Sequence, residues 1–265
     1  MAAAVLAPAV AAVVAASAAS LAAAAGIQVD VVPNFVGAGL GSTTEWMGSR
    51  DRVWGIAPGA RVKLEKNRFV EVYGPIADMN LLDSPSWEFG PALAYRFGRS
   101  DVSDPVVSSL PAIEGGLEAG VFAGWHYVRV EGIPYRVRLG VQLVTAVSGG
   151  ASGGHATPYA SLWVPLSPTL FVGLGGGFTW SSASFMQQRF GVSPEASAAS
   201  GLPAYTAGAG VRQYYLWPAL LYRMSKEWYG GAGAFWQRIT GDGADSPVVM
   251  DRSQFTAGVG LGYSW

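Results

Sequence analysis

The feature that most constrains this chain is an alternation of period two in which one face is greasy and the other is mostly glycine. The C-terminal segment is the clearest case. Phe255, Ala257, Val259, Leu261, Tyr263 and Trp265 fall on one side, and Gln254, Thr256, Gly258, Gly260, Gly262 and Ser264 on the other. Successive side chains of a strand point to opposite faces, so this pattern reads as a strand between two different surroundings. The same reading holds elsewhere. Leu170, Val172, Leu174, Phe178 and Trp180 oppose Thr169, Gly173, Gly175, Gly177 and Thr179. Trp87, Phe89, Leu93, Tyr95 and Phe97 oppose Glu88, Gly90, Ala92, Ala94 and Arg96. Segments at 54–63, 116–127 and 136–143 repeat it.

A soluble sandwich would turn its second face to bulk water, where so much glycine is out of place. Inside a narrow barrel, glycine fits a crowded lumen, while the apolar face meets lipid and its aromatics form girdles at the two interfaces. Composition agrees with that choice. Charged residues are 13% of the chain and glycines number 36, against ten Trp, eleven Tyr and eleven Phe. Beyond residue 25 no apolar run reaches the ~18 residues a membrane helix needs. The expected fold is an all-β, transmembrane, antiparallel up-and-down barrel of about twelve strands, ten to fourteen at the limits. The strands are expected at 27–40, 51–64, 67–73, 76–82, 85–97, 113–130, 133–148, 156–165, 168–182, 206–223, 226–239 and 253–265.

The connections give an independent check. Leu64-Glu65-Lys66, Asp83-Ser84-Pro85, Val130-Glu131-Gly132, Leu166-Ser167-Pro168 and Ser225-Lys226 are tight, whereas Gly98–Ala112, Ser182–Tyr205 and Thr240–Arg252 are long and Gly41–Arg50 is intermediate. Short periplasmic turns alternating with long extracellular loops are the asymmetry of outer-membrane barrels, and both termini then lie in the periplasm, which requires an even strand number. Residues 1–25 carry no charge and end in Ala22-Ala23-Ala24-Ala25-Gly26, so they read as a signal peptide cleaved near Ala24 or Ala25, with the barrel over 26–265. No Lys or Arg precedes the apolar stretch, and an uncleaved anchor is the alternative. Localisation in the outer membrane of a Gram-negative bacterium follows.

Candidate functional residues are few. Net charge is −1, so no nucleic-acid partner is expected. The glycine run 173–177 lies within a strand and is not followed by the helix a phosphate loop needs. His126 falls on the lumen face and His155 in a Gly-rich loop, with no metal-ligand spacing and no serine placed for a compact nucleophilic pair. Asp242, Asp245 and Asp251 match no calcium loop. No cofactor, metal or catalytic residue is expected, and the chain reads as a non-enzyme. Arg61, Glu88, Arg96, Glu118, Arg136, Arg138 and Arg212 gather on or near the inner face. Because both signs are present, mutually neutralising lumen pairs are the expectation, and a solute-selecting eyelet is the alternative. In the longest loop, Ser193-Pro194-Glu195 reads as a cap, a first-turn proline and an early acid. A short helix through Ser200 follows, stopped by Gly201 and Pro203. Such a loop either plugs the lumen or caps the rim. Pro218, inside a strand, demands a bulge or an unpaired position.

The stretches GPALAYRFGRSDVSDPVVSSLPAIEGGLEAGVFAG (90–124), FMQQRFGVSPEASAASGLPAYTAGAG (185–210), GDGADSPVV (241–249) and QFTAGVGLGYSW (254–265), with a weaker one around Trp46–Asp51, resemble the MipA/OmpV family of outer-membrane proteins. The resemblance implies an outer-membrane location and no catalytic residues. In one branch it implies a scaffold that links a lytic murein transglycosylase to a bifunctional penicillin-binding protein, while other branches are linked to porin-like, adhesive or stress-related roles. The expected partners are therefore outer-membrane lipid, the barrel assembly machinery reading a C-terminal signal at Tyr263 and Trp265, and those two murein enzymes. Trp265 stands where the assembly machinery usually meets Phe. A small porin-like channel is the alternative function, and an outer-membrane lipid enzyme the remotest. Turns of a few residues sit uneasily with a scaffold, since a standard interface buries roughly 800 Å² per partner.

Overall fold

The computed structural model describes residues 32–149 and 152–265. The expected signal peptide lies outside them. Twelve strands follow in chain order: β1 Phe35–Thr44, β2 Arg52–Lys63, β3 Phe69–Tyr73, β4 Ile76–Asn80, β5 Trp87–Arg96, β6 Gly116–Arg129, β7 Tyr135–Ala146, β8 Gly154–Pro165, β9 Leu170–Ser181, β10 Gly210–Arg223, β11 Trp228–Ile239 and β12 Ser253–Ser264. Each pairs antiparallel with its sequence neighbour, and β12 closes onto β1. Lipid cannot satisfy an open sheet edge, so a strand-built membrane protein must close in this way. No helix among the described residues is long and apolar enough to cross a membrane.

The sidedness is as the alternation requires. Leu40, Trp54, Phe89, Leu93, Leu139, Leu174, Leu216, Leu220, Val259 and Leu261 form an exposed belt around the wall, with Trp87, Tyr95, Phe97, Trp180, Trp228 and Trp265 toward its ends. Val259, midway along β12, is 64% exposed. A soluble protein does not leave such a continuous apolar surface in water. This is a membrane barrel.

At the seam the lumen side is bare. Gly37, Gly39 and Gly41 of β1 face Gly262, Gly260 and Gly258 of β12. A Cβ on Gly258 would stand 2.8 Å from the carbonyl oxygen of Leu40, so only glycine allows the two backbones to approach. The seam is pinned near its ends: the Thr43 and Thr256 hydroxyls meet at 2.8 Å, and the Trp265 amide donates to the Asn34 carbonyl at 3.2 Å.

Strand bounds differ most for β1, which runs 35–44 rather than 27–40. The strand starts at Phe35, where Gly–apolar alternation begins, and continues through the polar Ser42-Thr43-Thr44. In β10, Pro218 pairs with Leu174 of β9 and is unpaired only toward β11. The ladder to β11 skips Trp217 and Pro218 because proline offers no donor. The bulge lies six residues earlier, at Arg212.

The outer loops build a cap. The β9–β10 loop carries two helices, α1 Ala183–Phe190 and α2 Pro194–Ser200, and the β11–β12 loop carries α3 Gly241–Asp245. Ser193 caps α2 through the Ala196 amide, and Gly201 ends it with φ 75. Trp46, Val102, Val107, Leu110, Val192, Ala196 and Val248 from four loops share one small core. Phe185, Met186 and Phe190 of α1 bury against Ala207 and Ile239 in a second.

Candidate functional site

Strand register brings the inner charges into two groups. Toward the periplasmic end, Arg61 lies opposite Glu71 across β2 and β3, and the two form a close ion pair. Arg138 of β7 forks between two carboxylates: Nη1 reaches Glu71 at 2.8 Å, and Nη2 reaches Glu88 at 2.6 Å. Glu88 also meets His126 Nδ1 at 3.0 Å, while Arg136 stays 4.0 Å away. Asp78 accepts from the Gln142 amide at 3.1 Å. Three guanidinium groups therefore stand among three carboxylates, close to neutral. Charges withdrawn from bulk water need such partners.

The second group sits beneath the cap. Arg96 and Glu118 form a close ion pair, and His155 Nε2 lies 3.5 Å from Glu118. The bulge turns two consecutive side chains, Arg212 and Gln213, into buried positions. Phe185 of α1 reaches down between Arg96 and Arg212, whose guanidinium carbons stand 4.3 and 4.6 Å from its ring centre. Cation–π attraction thus holds the helix in the mouth. Arg99 donates to the Arg189 carbonyl at 3.3 Å. Burial, with Arg96 and Arg99 nearby, pushes the Arg189 guanidinium down to about 10, which leaves it charged at neutral pH. Four arginines around Glu118 give the cap's underside a positive excess.

The rest of the lumen is uneven. On β9, the Trp163 indole lies over Gly173 and the Trp217 indole over Gly175, which fills that side. On the opposite side a Cβ on Gly55 would meet nothing within 4 Å, and on Gly233 and Gly262 nothing nearer than 3.6 Å. The lumen beside these three glycines is therefore open.

At the periplasmic rim two neighbouring turns are knitted together. Lys66 Nζ is 3.1 Å from Asp83, the Asn67 amide donates to Asp83 at 3.0 Å, and Arg68 donates to the Leu81 carbonyl. The bonds from Lys66 and Asn67 hold the Asp83 carboxyl below its ordinary range. Leu64, Glu65, Arg68, Met79 and Leu81 line a hollow of about 400 Å³ beside them. A smaller one of about 90 Å³, with Arg61, Lys63, Lys66, His126 and Arg136 on its walls, opens into the lumen from below.

Of the seven charges singled out from sequence, Arg61, Glu88, Arg136 and Arg138 belong to the lower group and Arg96, Glu118 and Arg212 to the upper. Sequence reasoning missed Glu71, which joins Arg61 to Arg138; its parity within 67–73, opposite Arg61, was the available signal. His155 belongs to β8 rather than to a loop, and both histidines face carboxylates. Asp242, Asp245 and Asp251 are engaged separately, with the Gly208 amide, Arg252 and the Ser253 amide. Tyr263 packs edge-on against Trp228 and stacks on Trp265 at the lipid-facing end of β12.

Comparison with solved structures returns other barrels. An anion-selective porin from Comamonas acidovorans aligns at 7% identity and TM-score 0.38, covering 88% of this chain and 98% of that one. OmpT of Vibrio cholerae aligns at 9% and 0.38, covering 88% and 96%. The translocator domain of the autotransporter NalP from Neisseria meningitidis aligns at 14% and 0.37, covering 91% of each. Likenesses of this size add nothing to the topology already described. No curated protein sequence matches. The family model described as MltA-interacting protein MipA does match, over residues 36–265, which is the barrel from the second residue of β1 to the last residue of the chain, and the chain belongs to that family.

Proposed function

We propose that this outer-membrane barrel is a non-enzymatic scaffold whose periplasmic rim docks a murein-remodelling enzyme. The observation that carries the reading is the locked pair of turns at 64–68 and 81–86. Singly each turn is too small to bind a protein, but joined through Asp83 they make one rigid platform with exposed leucines at positions 64, 81 and 82. Lys66 holds a left-handed φ of 60, where glycine would fit more easily. A non-glycine residue kept in that region points to a use for its side chain. The family's description, MltA-interacting protein, supports a lytic transglycosylase as the partner. A bifunctional penicillin-binding protein would be the second enzyme, as in the branch this chain resembles. Residues 1–25 then serve as the export signal, and Tyr263 and Trp265 as the end read by the assembly machinery. The lumen charges act in this reading as braces for the wall.

The experiment is co-purification of periplasmic murein hydrolases and synthases with the tagged barrel from native membranes. Lys66→Ala combined with Leu81→Asp should cut recovery about tenfold or more, the scale of a lost interface hot spot, while the barrel stays folded by heat-modifiable gel migration. Undiminished recovery would refute the platform. The alternative, a small solute channel, draws support from the open space at Gly55, Gly233 and Gly262 and is opposed by Phe185 and the cap.

A further inference from the structure

The wall has a gap. β2 is twelve residues long, yet only Gly59–Lys63 pair with β3. The β3–β4 hairpin turns back at Gly74-Pro75, where the Gly74 amide donates to the Pro58 carbonyl at 2.8 Å and the Tyr95 amide to the Pro75 carbonyl. Above that turn, Arg52–Ala57 have no strand beside them on this side among the described residues. In an antiparallel ladder alternate residues direct both backbone groups to the same neighbour. By the parity of Pro58, the amides and carbonyls of Trp54 and Ile56 point into the gap.

The gap lies within the lipid belt. Ile56 pairs with Leu40, and Leu40 with Val259, the middle of β12's apolar face. Trp54 is 73% and Ile56 77% exposed. Tyr95 and Phe97 stand exposed on the β5 side, and overhead Glu45 accepts from the Ser103 amide at 3.1 Å, which closes the frame. Behind the gap the lumen is clear and apolar. Gly55 has open space, Ala57 is exposed, and Tyr73 and Ile76, both on the inward face of the hairpin, are exposed as well. Phe35 continues this surface downward, 6.1 Å from the Tyr73 ring. Two cations border the gap and both are engaged: Arg52 with Ser42 and the Phe255 carbonyl, and Arg189 with the Phe97 carbonyl.

A strand edge cannot face hydrocarbon uncovered, and irregular backbone is tolerated at membrane depth only against protein or a hydrated cavity. We propose that the opening between β2 and β5 above Gly74-Pro75 is a lateral port. Through it, uncharged apolar molecules dissolved in the outer leaflet, acyl or aryl in character, enter the lumen. Its rim is aromatic and aliphatic, and the unpaired Trp54 and Ile56 backbone offers a guest hydroxyl or carbonyl a partner. A second copy is a poor fit to the same edge. Barrel strands tilt about 40° from the axis, so two copies related by a two-fold along the membrane normal would cross their β2 strands steeply and could not form a ladder. The port leads sideways beneath the capped mouth and does not depend on the scaffold role.

The chain has no cysteine, so single-cysteine variants of the full barrel in lipid vesicles report cleanly. Gly55→Cys and Ala57→Cys lie behind the port, and Gly233→Cys on the lumen face of β11 is the control. A bilayer-dissolved octadecyl maleimide should alkylate the first two at least about tenfold faster than the control, as an opening to hydrocarbon at that point requires. A charged methanethiosulfonate added in water should show no such preference. Equal alkylation at all three positions would overturn the port. So would spontaneous intermolecular disulfide formation by Trp54→Cys together with exclusion of the maleimide from Gly55→Cys, since a second copy would then cover the edge.

Discussion

Replacing Arg138 with Met isolates what the lower ion network contributes to the barrel. The guanidinium makes three close contacts, to Glu71 at 2.8 Å and to Glu88 at 2.6 and 2.7 Å. Its loss leaves Glu71 with Arg61 alone and Glu88 with His126. Breaking a buried ion network by removing one partner costs about 3–5 kcal/mol, because the other charge is stranded. Each carboxylate here keeps one partner, so the expected cost is near the lower end, about 3 kcal/mol. Arg136→Met is the matched control. Its side chain is 13% exposed against 18% for Arg138, so both lose similar buried surface, but its nearest carboxylate is 4.0 Å away. A contact that long is expected to contribute about 1 kcal/mol or less. Reversible urea unfolding in lipid vesicles, followed by tryptophan fluorescence, measures both. Adding Glu88→Gln to Arg138→Met should recover part of the loss by removing a stranded charge. If the two single variants fall within about 1 kcal/mol of each other, the network is solvated and the bracing role is refuted.

Three further outcomes follow from the wall and its ends. Gly258→Ala forces a Cβ against the Leu40 carbonyl and should cost about 1–3 kcal/mol in the same unfolding assay, whereas Gly55→Ala, with nothing within 4 Å, should be neutral or slightly stabilising. Removing the α1–α2 segment, residues 183–200, should convert a barrel silent in planar bilayers into one with steady conductance steps; steps of equal size from the intact protein would show that Phe185 does not obstruct the mouth. Tyr263→Ala with Trp265→Ala should lower the heat-modifiable folded fraction recovered from membranes several-fold, and unchanged recovery would remove these residues from assembly.

Much of the fold was legible because lipid and lumen demand opposite side chains at alternate positions, and that demand is written directly into β5, β9 and β12. Turn lengths carried the rest of the topology. What escaped reading broke the alternation. The bulge at Arg212 places two consecutive side chains inward, so no period-two reading could assign both. Glu71 lies in a strand of five residues, where its parity opposite Arg61 was the one signal and the apolar face was too short to reinforce it. The α1 helix buries Phe185, Met186 and Phe190 against Ala207 of its own loop and Ile239 at the end of β11, a contact set by tertiary packing rather than by a helical stripe in its own sequence. The gap beside β2 left one mark only, the Gly74-Pro75 pair, which makes a two-residue turn on the side where the other links run to seven residues or more.

The smooth interior of the β1–β12 seam bears on how the cylinder is completed. Three facing glycine pairs present no knobs that would resist a slip of two residues, and glycine-rich strands define register weakly. Alignment of the final ladder therefore falls to its extremities, the Thr43–Thr256 hydroxyls at one end and the Trp265–Asn34 bond at the other. The last strand can slide along the first until both clasps meet, so closure behaves like a zip whose teeth are identical and whose stops decide where it halts.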